Sequence, residues 1–237
     1  MKKWSIVIIL VLSIGILGGL YFLYRTYFST LQRSRKVMDF LKNPTAHQAS
    51  VVTGLTRCGE APFLLPTSGL IGFLWDDSFR IGHHHQGIDI FSGTDVGEMP
   101  IYAAYDGYLT RMSDWKSSVI IRIPADPLQP DRQIWTYYTH MADESGESLI
   151  DAAYPPGTAD VFVAAGTRLG YQGNYSGRPD QPTGVHLHFS IVKDDGQGKF
   201  LNELEIGHTL DPSSYFGMPL NGKQNKDLIP QCAQIRE

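Results

Sequence analysis

Eight histidines occur, His47, His83, His84, His85, His140, His186, His188 and His208, and five of them fall into two tight groups. In Val185-His186-Leu187-His188-Phe189-Ser190-Ile191 the alternation is strict. Val185, Leu187, Phe189 and Ile191 share one face of a strand, and His186, His188 and Ser190 share the other. The apolar face packs on a core, which turns two imidazoles toward a cleft or solvent, close enough together to serve one metal ion. In His85-Gln86-Gly87-Ile88-Asp89-Ile90, His85 and Asp89 are four apart, and Gly87 with its β-branched neighbours reads as a loop entering a strand. Histidine and aspartate bind Zn2+ at about 2.0–2.2 Å, and two histidines plus one carboxylate leave a fourth tetrahedral position open for water. That is the ligand count of a catalytic zinc site. A third stretch, Tyr137-Tyr138-Thr139-His140-Met141, puts Tyr138 and His140 on one face when read as a strand.

Each stretch taken alone also has a bland reading: a surface strand with two histidines, a turn closed by a His–Asp hydrogen bond, a packed histidine. Their order changes the balance. His85-x-x-x-Asp89, Tyr138-x-His140 and His186-x-His188 follow one another as in the lysostaphin-type zinc endopeptidases of bacterial cell walls, and the chain resembles that family between them too. Gly87-Ile88-Asp89 leads into Pro100-Ile101-Tyr102-Ala103-Ala104-Tyr105-Asp106-Gly107, which looks like the family's G-x-D … P-V-Y-A-A-x-D-G block. Val163–Gly173 is similar to its V-x-x-G-x-x-I-G-x-x-G stretch, and Asp211-Pro212-Ser213-Ser214-Tyr215 to the usual end of the domain. The resemblance covers about residues 62–217.

The resemblance implies one Zn2+ held by His85, Asp89 and His188, with His140 and His186 as the two catalytic histidines that do not ligate. No H-E-x-x-H helix supplies a glutamate base, so proton handling and oxyanion stabilisation fall to those two rings, in either order. Tyr138 is expected to help hold the oxyanion or to orient His140. His83 and His84 are extra and are expected on a solvated loop. The loops 142–160 and 174–183 are expected to shape the substrate groove. The implied activity is hydrolysis of peptide cross-links in peptidoglycan. The alternative is a catalytically quiet domain of the same fold that scaffolds or regulates wall enzymes; such relatives typically lack a site residue, and all five are present. A cupin-type metal site, also β-rich, wants a glutamate a few residues after the second histidine, and none follows His188 until Glu203.

The elements that must position these residues read as strands. From Cys58 onward, short apolar runs alternate with Gly, Pro, Asn and Asp turns: Phe63–Leu65, Ile88–Phe91, Ile101–Ala104, Val119–Ile123, Ile134–Tyr138, Val161–Val163 and Val185–Ile191. The expected fold class is mainly β, an antiparallel sheet core with long loops, preceded by one N-terminal transmembrane helix. Residues 58–237 form the expected zinc metallopeptidase domain, 26–57 a juxtamembrane helix and linker with a stop at Asn43-Pro44, and 1–25 the anchor.

The anchor is read from an apolar run between Lys2-Lys3 and Arg25, from Trp4 to Tyr24, long enough to span roughly 30 Å of hydrocarbon. Trp4, Tyr21 and Tyr24 stand at its ends, where amphipathic rings prefer the interface. A cleaved leader would be shorter and end in a small-x-small site, whereas this run ends Leu20-Tyr21-Phe22-Leu23-Tyr24 with no cysteine nearby to carry a lipid. Basic residues lie on both sides (Arg25, Arg33, Arg35 and Lys36 beyond the run), so their count does not favour an outside C-terminus; the wall chemistry places the domain outside the cytoplasm. Beyond residue 25 the chain carries 17 basic and 24 acidic residues, a net of −7, which speaks against a nucleic-acid partner. Cys58 and Cys232 bracket the domain. A disulfide between them would close a long loop and stabilise by about 5 kcal/mol in the chain-entropy model; two separate buried thiols are the alternative.

Overall fold

The computed structural model describes residues 2–78, 82–179, 181–225 and 228–232, and leaves aside the side chains of 2–6 and 25–31. The side chains of Lys2, Lys3, Trp4 and Arg25, given roles above, therefore lie outside the described residues.

One long helix, α1 (Lys2–Lys42), precedes ten strands: β1 (Leu70–Phe73), β2 (Ile88–Phe91), β3 (Pro100–Tyr102), β4 (Gly107–Thr110), β5 (Val119–Ile123), β6 (Ile134–Thr139), β7 (Val161–Val163), β8 (Arg168–Tyr171), β9 (Leu187–Lys193) and β10 (Thr209–Leu210). A one-turn helix, α2 (Ser213–Phe216), follows them. The main sheet runs in the order β1-β2-β9-β6-β5-β4-β7, with β10 also on β9, and β3 pairs with β8 in a separate ribbon. Every strand pair is antiparallel. The mainly β, antiparallel architecture is the one the turn spacing predicts.

β9 is the strand the rest is built on. β6 pairs along one edge, while β2 takes the first half of the other edge and β10 the second. Its alternation is as expected: Leu187, Phe189 and Ile191 are fully buried among Ile88, Ile90, Val119, Ile121 and Tyr138. Burying a side chain of this size contributes roughly 1.5–3 kcal/mol. That gain fixes the register, because a slip of one residue would turn the histidines into the core.

Three expectations are corrected. The Phe63–Leu65 run is buried but is not a strand: its amides donate to Tyr215, Ala104 and Thr56 carbonyls, three different partners. The juxtamembrane segment is no separate helix, since α1 continues from the apolar run to Lys42 without a break. The linker 44–57 is not loose either. It forms a 3-10 turn over Pro44–Ser50, and Val52 then pairs with Gly69 and enters the core.

Val7–Tyr24 is long and apolar enough to cross a membrane, and none of it is buried within the molecule. The far end of α1 behaves differently. Val37 and Phe40 are buried against Leu70 and Phe91. Cys58 and Cys232 are joined by a disulfide, with Cα atoms 5.1 Å apart.

Candidate metal centre

Sheet register assembles the site. Asp89 on β2 and Thr139 on β6 both lie directly opposite His188 on β9. Paired residues in antiparallel strands put their side chains on the same face, so the carboxylate and the imidazole are brought together from positions 99 residues apart. His85 precedes β2 by one turn of loop. Gly87 between them is required sterically: a Cβ there would sit 2.1 Å from the Phe189 carbonyl oxygen. Only glycine lets β2 close on β9 at that point.

The three expected ligands converge. His85 Nε2 is 3.0 Å from Asp89 Oδ1 and 3.0 Å from His188 Nδ1, and His188 Nδ1 is 2.8 Å from Asp89 Oδ1. All three residues are buried, and among the described residues they are a group whose donor atoms could hold one ion. A tetrahedral ion with bonds of about 2.1 Å spaces its ligands about 3.4 Å apart, so the triangle needs to open by only a few tenths of an ångström. The donor set fits a divalent ion of the zinc kind.

The outer nitrogens fix which lone pairs face inward. His85 Nδ1–H donates to the Leu74 carbonyl at 3.0 Å, leaving Nε2 as the ligand atom. His188 Nε2–H donates to Glu203 at 2.8 Å, leaving Nδ1. Such carboxylate–histidine contacts orient a metal-binding ring and raise its basicity. Glu203 was not legible as a site residue. It stands fifteen positions after His188 in an irregular loop, and only the fold returns it to the ring. Gln86 Nε2 donates to the Leu204 carbonyl at 2.8 Å and pins that loop beside His85.

His140 and His186 lie next to the cluster, with ring centroids 4.4 Å apart. His140 Nδ1–H donates to the Tyr175 carbonyl and His186 Nδ1–H to the Gly184 carbonyl, each at 2.6 Å. Both rings therefore present a free Nε2, that of His186 3.8 Å from Asp89 Oδ1. Phe91 stacks on His186 with centroids 4.7 Å apart and holds its plane.

Electrostatics separates the histidines. Burial, and next the neighbouring His186, push His140 down to about 3. Burial lowers His186 too, against the pull of Asp89. Both are neutral at physiological pH. For His188 burial also opposes the charge, but Glu203 and Asp89 outweigh it and lift the ring to about 10. Burial works against the Asp89 carboxylate, yet His85, His186 and His188 hold it well below the usual range.

Tyr138 is a correction. It is fully buried, packed on Phe189, and its hydroxyl accepts from the Ala104 amide at 2.9 Å, on the far side of the sheet from the histidines. The expected oxyanion or orienting role does not survive that placement. The cause is local: His140 has left-handed backbone, φ 69°, just past the end of β6. That kink ends the alternation and brings His140 to the face of Tyr137 and Thr139, which line the cleft with it. A non-glycine residue held in this region is strained, and such strain concentrates at functional sites. His83 is a second correction: it lines the cleft rather than a solvated loop, while His84 is exposed and pairs with Asp76 at 2.6 Å. Of the two loops expected to shape the groove, 174–183 reaches it through Thr183.

The cleft has a volume of about 900 Å³. No protein-family model matches this chain, and no curated protein does. Solved structures do. The catalytic domain of the antimicrobial peptidase lysostaphin from Staphylococcus simulans is 17% identical, over 63% of this chain and 89% of that one, at a TM-score of 0.39. Lysostaphin itself is 19% identical, over 62% and 49%, at 0.40. The catalytic domain of the prophage-encoded M23 protein EnpA from Enterococcus faecalis, as a variant, is 23% identical, over 65% and 98%, at 0.38. These neighbours are lysostaphin and M23 domains. At such identities and overlaps the likeness concerns the fold and says nothing of activity.

Proposed function

We propose that this chain is a zinc-dependent endopeptidase that hydrolyses peptide cross-links of peptidoglycan, held to the membrane by α1 with its catalytic domain outside the cytoplasm. The observation that carries the reading is the cluster itself: three buried ligand atoms from His85, Asp89 and His188 within 3.0 Å of one another, with two neutral imidazoles beside them. A zinc ion held there would activate water near neutral pH and polarise the scissile carbonyl. His140 and His186 each keep a lone pair on Nε2, so either can accept the proton released on attack. The imidazolium so formed can then donate to the leaving amine or to the developing oxyanion. Their Nδ1–H bonds to the Tyr175 and Gly184 carbonyls hold the rings in place for this exchange. The exposed apolar run Val7–Tyr24 supports the anchor.

A zymogram on purified peptidoglycan, with zinc and with chelator, tests the reading. Clearing with zinc and none with chelator is expected. A zinc-loaded, folded protein inert on peptidoglycan would instead favour a quiet domain of this fold.

A further inference from the structure

The cleft that holds the site is not built by the strands alone. Ser34, Val37, Met38 and Leu41 of α1, at i, i+3, i+4 and i+7, line one flank of the cavity that contains His140 and His186. The helix is seated there by design of several residues. Val37 and Phe40 are buried on Leu70 and Phe91, and a Cβ on Gly72 would stand 2.6 Å from Val37 Cγ2, so β1 is notched to admit the helix. Arg33 Nε lies 2.6 Å from Asp77, and its Nη2 donates to the Asn225 carbonyl at 2.8 Å. Ile229 of the C-terminal tail packs on the same cluster. Met38 has no part in this seating. It lines the cleft yet is 52% exposed.

We propose that this face of α1 is a substrate-binding flank of the cleft, on which Met38 and Leu41 contact the cross-link peptide beside the scissile bond. The proposal rests on the peptidase reading above and deepens it. The occupant is the peptide rather than a partner helix, because the flank is continuous with the cavity of the two catalytic imidazoles and faces across it. A thioether and a leucine offer dispersion contacts and no hydrogen bonds. The flank therefore grips an uncharged, aliphatic part of the peptide, and orientation of the scissile carbonyl is left to the imidazoles.

The test uses the full-length, zinc-loaded chain in detergent micelles and cross-linked muropeptides of defined composition. Met38→Glu is expected to raise KM about tenfold while kcat stays within about twofold and zinc content is unchanged. Gln32→Glu, on the exposed side of the same helix and turned away from the flank, is expected to change neither constant. Met38→Cys adds the one thiol outside the disulfide, since the sequence has only two cysteines and they are bonded to each other. Labelling it with a bulky maleimide is expected to stop hydrolysis, and muropeptide to slow the labelling. If the parent protein cuts and the labelled variant cuts equally well, the flank is refuted and the peptidase reading stands. If the parent cuts nothing, the peptidase reading fails, and labelling still decides: slowing by muropeptide supports the flank, and an unchanged labelling rate overturns it.

Discussion

Each imidazole in this cleft has its role set by what its outer nitrogen touches. His85 and His188 turn one nitrogen each toward Asp89, that of His188 still protonated without a metal, and His140 and His186 turn a lone pair toward the space beside it. Removing a ligand should therefore differ from removing a proton carrier. His188→Ala is expected to lose bound zinc, whereas His140→Ala and His186→Ala keep it and lose about 10²–10⁴-fold in rate; metal analysis beside turnover checks both. Glu203→Gln keeps the shape of the contact but not its charge, and should weaken zinc binding about 10–100-fold in a chelator competition. The raised pKa of His188 makes a further statement. In the metal-free protein this ring contributes stability that is present below pH 6.5 and is lost as pH rises through about 10. A zinc ion bound at this ring would have to displace its proton. Calorimetry at pH 6 in buffers of different ionisation enthalpy should find about one proton released per zinc, and apparent affinity rising about tenfold per pH unit below pH 10. No proton release would mean His188 is not a ligand.

At the scale of elements, the site depends on how closely strands approach. Gly87→Ala drives a methyl into the Phe189 carbonyl. It is expected to destabilise by about 2–3 kcal/mol, to lower Tm by about 5–10 °C, and to cost zinc affinity because Asp89 moves off His188. Close approach also explains what the sequence hid. Ile88–Phe91, Val119–Ile123 and Val161–Val163 could be read from their β-branched runs, and the His186–His188 alternation from its period of two. β1, β4, β8 and the two-residue β10 are not legible as strands, and the first three each carry a glycine: Gly72, Gly107 and Gly170. A Cβ at Gly107 would lie 2.5 Å from the Arg122 carbonyl oxygen and one at Gly170 2.4 Å from that of Leu149. These glycines look like turns in a sequence and serve as contact points in the fold. Tyr138 failed for a related reason, since alternation cannot anticipate the left-handed turn at His140, and Glu203 because no periodicity links it to His188.

Across the whole molecule, the two ends of the β domain are fastened to one another and to the helix. The disulfide closes a span of 174 residues and fixes the tail that carries Ile229 and the Gln231 contact to the Ala49 carbonyl. Replacing both cysteines with serine is expected to cost up to about 5 kcal/mol, read as a lower denaturation midpoint that reductant no longer shifts.

The unbroken course of α1 sets a height. With Val7–Tyr24 embedded in lipid, the ten residues from Tyr24 to Ser34 rise about 15 Å, so the metal centre rides at a fixed stand-off from the bilayer instead of swinging on a tether. On the proposed peptidase reading, such a ruler would confine cutting to the wall layers nearest the lipid and leave the outer layers untouched. Inserting 18 helical residues there, five whole turns, would lift the blade by about 27 Å without rotating it, and the depth at which sacculi are thinned should move outward with it.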